Sequence, residues 1–198
     1  MTLIATWVDA IEPGAPDIVA AWRGIDAGSV ESVRGEVRRR SGGGTAESTT
    51  AQLGALAIAL TDFVEAVPEP VLRLPGGEAD WNVAQAIGHA CDARAGLSLA
   101  AALAARDRWP TGAPAVVPGV AGPADADRAT LVRRIAQSQR LIERAGRTVS
   151  GHETTPCPLD HPLVGQLSCG EWLVFAGVHD LMHLEQLHAL AIRIGEPS

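Results

Sequence analysis

Lysine and tyrosine are both absent from this chain of 198 residues, and all 16 basic residues are arginine. Without lysine there is no Schiff-base catalysis and no anchor for pyridoxal phosphate. The phosphate-binding loop that ends in Gly-Lys-Ser/Thr is excluded, and so is a protein kinase of the usual kind. No phenol is present to act as a general acid. Cysteine is scarce, with only Cys91, Cys157 and Cys169 and no Cys-x-x-Cys spacing. An odd count, and no basic residue ahead of Arg23, lead us to expect a reducing, cytoplasmic setting and no signal peptide. The longest apolar stretch, 95–105, is well short of the roughly 20 residues a membrane helix needs. The net charge is −7, and the only dense basic run is Arg38, Arg39 and Arg40. A nucleic-acid partner is therefore not expected, since a polyanion needs a basic face.

The hydrophobic fraction of 46% is enough for a sizeable core in one domain. Its pattern is helical. Leu53, Leu56, Ala57, Leu60, Val64 and Val67 fall on one helix face, and Pro68 and Pro70 stop the run. Further helices are expected over about 82–108, 125–149 and 169–194, the last ended by Gly195 and Pro197. Asn82 with Gln85, and Ser168 with Glu171, have the spacing of capping boxes. No period-2 alternation stands out, so strands are not expected, and 110–123 and 150–167 are read as long loops. Four amphipathic helices predict an all-α four-helix bundle over 49–198. Residues 1–48, interrupted at Gly24, Gly28 and Gly35 and closed by a Gly/Ser/Thr linker, are set apart as an N-terminal extension that packs on the bundle or on a second chain, as in a homodimer.

Among six histidines, His179 and His183 are the most informative. Their i, i+4 spacing puts both imidazoles on one helix face, where they can chelate one metal ion. That stripe also carries Trp172, Phe175, Met182, Gln186 and Leu190, so it points inward. His89 lies mid-helix among small apolar residues. Three inward histidines from two helices make a site with an open ligand position, the catalytic type. A zinc protease needs Glu after the first histidine of His-x-x-x-His, and this chain has Asp180. His188 falls off the stripe and is expected in solvent, and His152 and His161 lie in a loop from which either could approach the metal. Asp92, three residues after His89, is read as a helix polar residue with a local partner, the alternative being an acceptor for an imidazole N–H. Cys169, near a helix start, is read as a packed small residue, the alternative being a thiol whose pKa the helix dipole lowers. Trp81 is read as core packing.

Two segments resemble the DinB/YfiT-like four-helix-bundle metalloproteins. The run from Trp81 through His89 is similar to that family's Trp-Ser/Thr helix start leading to its first ligand histidine, with Asn82 in the Ser/Thr place. Trp172-Leu173-Val174-Phe175, followed by His179, His183, Gln186 and Leu187, is similar to its Trp-Leu-x-Phe…His-x-x-x-His-x-x-Gln-Leu/Ile helix. The resemblance covers about 49–195. It implies a DinB-like bundle and a divalent metal ion (zinc or nickel, or iron) held by His89, His179 and His183. Characterised members include a mycothiol-dependent maleylpyruvate isomerase and S-transferases that use mycothiol or bacillithiol. A metal-dependent enzyme acting on a low-molecular-weight thiol and an electrophile is therefore expected, with Gln186 beside the ion as a candidate catalytic residue. The alternative is a non-catalytic metal- or small-molecule-binding bundle of the stress response.

Overall fold

Each expected apolar stripe folds as a long helix in the computed structural model, which describes residues 5–26, 29–75, 80–113, 116 and 119–195. Helix α4 (Ala46–Ala66) starts earlier than expected, because Thr45 accepts from the Ser48 amide at 3.1 Å and so caps it. Helix α5 (Val83–Ala105) opens on a complete capping box formed by Asn82 and Gln85. It stops short of Arg108, the chain turning at Asp107 with a φ of 52°. Asp127 caps α6 (Arg128–Val149) by accepting from the Thr130 amide. Helix α7 (Cys169–Gly195) begins where the Glu171 carboxylate accepts the Ser168 amide at 2.7 Å. The expected stop at Pro197 and the interruption at Gly28 lie outside the described residues.

Helix α4 packs against α6 and α7, and α5 packs against the same two. The order around the bundle is thus α4, α6, α5, α7, with α4 and α5 across the diagonal from each other. Helix α7 is buried without interruption from Trp172 through Leu181, as a helix enclosed by neighbours must be. No helix among the described residues is long and apolar enough to cross a membrane.

Three short helices precede the bundle: α1 (Ala5–Ile11), α2 (Pro16–Arg23) and α3 (Val30–Ser41). Ile18, Val19 and Ala21 of α2 and Val37 of α3 are fully buried in the same core as the long helices. The open amides at the start of α2 are met by α4: the Asp17 and Ile18 N–H groups donate to Gln52 Oε1 at 2.9 and 3.2 Å. This is a firmer attachment than the polar, glycine-broken sequence suggests.

The segment read as a loop over 150–167 contains a β-hairpin, a correction to the strand-free expectation. Strand β1 (Pro156–His161) pairs antiparallel with β2 (Gly165–Ser168). Cys157 and Leu159 point inward and Pro156 and Pro158 outward. The prolines that argue against a strand sit on the exposed positions of a short edge, where a missing N–H costs little. The hairpin rests on α5, and Arg34 of α3 donates to the Val164 carbonyl at its turn.

Candidate metal centre

His89 on α5 and His179 and His183 on α7 come together, each offering a ring nitrogen within 4.8 Å of the other two. His179 and His183 are 8% and 5% exposed, so they lie inside the bundle, while His89 is half-buried at its rim. The ring states follow from the partners. His89 Nδ1 lies 2.8 Å from the Val120 carbonyl oxygen. A carbonyl only accepts, so Nδ1 carries the proton and Nε2 keeps a lone pair. His183 Nδ1 donates in the same way to Gln186 Oε1 at 3.0 Å. His179 turns its Nε2 to within 3.3 Å of His183 Nε2. Burial, and then the neighbouring imidazoles of His183, His89 and His161, hold the His179 pKa well below the usual histidine value. That ring is therefore neutral at physiological pH and free to ligate.

The donor set fits a borderline divalent ion such as zinc. Metal–nitrogen bonds of about 2.0–2.1 Å at tetrahedral angles place two ligand nitrogens about 3.3–3.4 Å apart, which matches the His179–His183 separation. Two histidine lone pairs held toward one point by outer partners form the kind of supporting shell metal sites use. Asp92 does not serve His89; it is exposed and paired with Arg134 at 2.7 Å. Val120 takes its place, on a connection that lies hard against α5. Gly122 donates to the Gln85 carbonyl, and a Cβ at Gly88 would come within 2.8 Å of the Gly122 Cα. Only paired glycines let the chain pass that close.

The three rings open onto a cavity of about 520 Å³. Its other walls include Trp81, Leu97, Leu163, Met182 and the ring of His161, with Glu185 and Gln186 along one side. Trp81 is thus a wall of the site rather than core, 5.0 Å from His89. The β-hairpin brings His161 within 6.4 Å of His179, edge-on to Phe175. Burial is the main cause that lowers the His161 pKa. His152 is exposed and does not line the cavity. His188, expected in solvent, instead stacks on Trp7 at 4.9 Å and meets Phe63 at 5.1 Å, and burial lowers its pKa.

No cysteine lines this cavity. All three are buried thiols. Burial pushes the Cys91 and Cys169 pKa values up to about 12 and raises that of Cys157. At Cys169 desolvation therefore outweighs any help from the start of α7.

Sequence reasoning did not single out Arg94. It is fully buried, and from α5 it touches each of the other three bundle helices. Its Nε lies 2.9 Å from Asp180 Oδ2 on α7, and its Nη2 donates to the Leu53 carbonyl on α4 at 2.8 Å and to Gln139 on α6 at 3.3 Å. Arg94 thus lies on the bundle axis, one turn and a half beyond His89. A charged residue on an apolar stripe, with an acid on a second apolar helix, was the available signal.

A family model described as DinB superfamily matches residues 49–187. No curated protein and no solved structure gives a significant match.

Proposed function

The chain belongs to the DinB superfamily, and from that premise we propose that it binds one divalent metal ion through His89, His179 and His183 and acts as a thiol-dependent S-transferase-like enzyme. The observation that carries this reading is the convergence of three neutral-capable imidazoles on a cavity large enough for a small organic molecule. Such an ion, when bound, supplies Lewis acidity that lowers the pKa of a thiol or water beside it.

The chain's own residues arrange the rest. Val120 and Gln186 hold the protons of His89 and His183 on the outer nitrogens. Burial keeps His179 uncharged. Trp81, Leu97, Leu163 and Met182 offer apolar surface to the body of an electrophile and keep water from its reacting end. The protein's thiols are buried away from this cavity, so the sulfur nucleophile is a diffusible small-molecule thiol. Gln186 acts through His183, which makes it a positioning residue.

The test is elemental analysis of purified protein, followed by thiol consumption with a panel of electrophiles, with and without added zinc or nickel. The reading requires one equivalent of metal, lost in His183→Ala, and thiol loss that needs the metal. Stoichiometric metal with no thiol consumed across the panel would instead make this a binding protein.

A further inference from the structure

We propose that His161 is the hydrogen-bond donor that meets the substrate in the metal cavity, and that its partner is the oxygen of an uncharged electrophile. The proposal deepens the S-transferase reading and rests on it for the reaction, though not for the state of the ring.

His161 is set the opposite way to the ligand histidines. His89 and His183 donate from Nδ1 and keep a lone pair on Nε2. At His161 the backbone N–H of Leu163 donates to Nδ1 at 3.0 Å. A peptide N–H can only donate, so Nδ1 holds the lone pair and the neutral ring carries its proton on Nε2. A protonated nitrogen does not ligate. His161 therefore stays a donor although its ring centre lies only 6.4 Å from that of His179.

The β-hairpin fixes this state with its own turn. His161 pairs with Gly165, the Val164 amide donates to the His161 carbonyl at 3.1 Å, and the Leu163 amide reaches the ring. Phe175 supports the ring edge-on at 5.0 Å. No carboxylate is needed to orient the imidazole, so the donor does not become a strong base.

The charge around it points to the substrate class. The chain has 16 arginines, yet among the described residues none of them lines the cavity, and apart from the four histidines its only ionisable side chain is Glu185. The divalent ion would be the one cationic group there and would be taken up by the thiol, so a carboxylate- or phosphate-bearing electrophile would find no arginine to pair with. An uncharged enone or epoxide with an apolar body fits the walls. When a thiol adds to such a molecule, a sulfur–carbon bond forms and the carbon's π or C–O electron pair moves onto oxygen. The thiol proton leaves to water and water reprotonates the product. The His161 Nε2–H stabilises the charge gathering on that oxygen and keeps its own proton.

The experiment uses the full chain with ¹⁵N-labelled histidine. Imidazole nitrogen shifts are read before and after zinc addition, and then on titration with 2-cyclohexenone, an uncharged enone. His161 should be the Nε2–H tautomer throughout, while His89, His179 and His183 respond to zinc. Cyclohexenone should shift the His161 Nε2–H resonance, and its affinity should fall about fivefold in His161→Phe, the worth of one hydrogen bond. His161→Gln, which keeps a donor, should hold it within about twofold. An Nδ1–H tautomer, a ligand-type response of His161 to zinc, no cyclohexenone binding, or equal affinity in His161→Phe would each overturn the proposal. If the protein takes up no zinc, the metal reading fails instead, and the tautomer and cyclohexenone measurements on zinc-free protein still decide the role of His161.

Discussion

Replacing Arg94 with methionine keeps the aliphatic stem of the side chain and removes its charge. Burial already raises the Asp180 pKa to about 6 against the pull of Arg94, so without that cation the acid takes up a proton and is left buried without its partner. Breaking one partner out of a buried pair costs about 3–5 kcal/mol. For a chain of this length each kcal/mol lowers Tm by about 2–4 °C, so the expected loss is about 6–20 °C. The second half of the argument concerns the pair as a whole. Neither Asp180 oxygen makes an aligned hydrogen bond among the described residues, and Arg94 Nη1 has no acceptor. The pair is close but poorly satisfied, so its attraction offsets little more than its desolvation. The Leu53 carbonyl lies mid-helix in α4 and keeps its place in that helix when Arg94 is gone. Arg94→Met with Asp180→Leu should therefore recover to within about 2 kcal/mol of the natural chain. Urea unfolding of the metal-free protein, followed by circular dichroism at 222 nm, measures all three variants in one cycle. A single Arg94→Met cost below about 1 kcal/mol, or a double variant no better than the sum of the singles, would refute the reasoning.

Gln186→Leu should weaken zinc affinity about 10- to 100-fold by releasing the His183 ring, as measured by competition with a chelator, with unfolding stability little changed. Cys91→Ser, Cys157→Ala and Cys169→Ala should each retain thiol-transfer activity, and the native protein should react with Ellman's reagent only as it unfolds, because the thiols are buried with raised pKa values. His188 has a folded pKa below its unfolded value near 6.5, so as pH falls below that point the unfolded chain takes a proton that the folded one resists. Stability should then drop by at most about 1.4 kcal/mol per pH unit from this group, and His188→Phe should flatten that part of the profile in pH-dependent unfolding.

Much of the helical frame could be read from residue spacing, because a long amphipathic stripe has few ways to hide its apolar face. Helix α6 is an example: Leu131, Ile135, Ile142 and Val149 predicted it, and all four are buried. The juxtaposition of His179 and His183 was legible for the same reason, being a property of one helix. What could not be read depends on approach between segments far apart in the chain. Val120 contacts His89 only because Gly88 and Gly122 let a loop press on α5. His161 faces the cavity only because a proline-bearing segment folds back on itself. Its period-2 pattern was present in Cys157 and Leu159 but was too short to compete with three prolines. The half-buried state of His188 depends on Trp7, from a helix that local propensity leaves undefined.

The division of labour around the cavity bears on how such a protein changes over time. The three imidazoles stand on two long helices locked into the core. Several walls of the cavity, by contrast, belong to connections: Gly119 before α6, and His161, Pro162 and Leu163 at the tip of the hairpin. Exchanges at these tips leave the packed interior alone, so on the proposed function substrate preference would drift while the three imidazoles keep their places. Exchanging residues 161–163 at the hairpin tip, with the buried Cys157, Leu159, Val164 and Leu167 kept, is the laboratory counterpart of that drift.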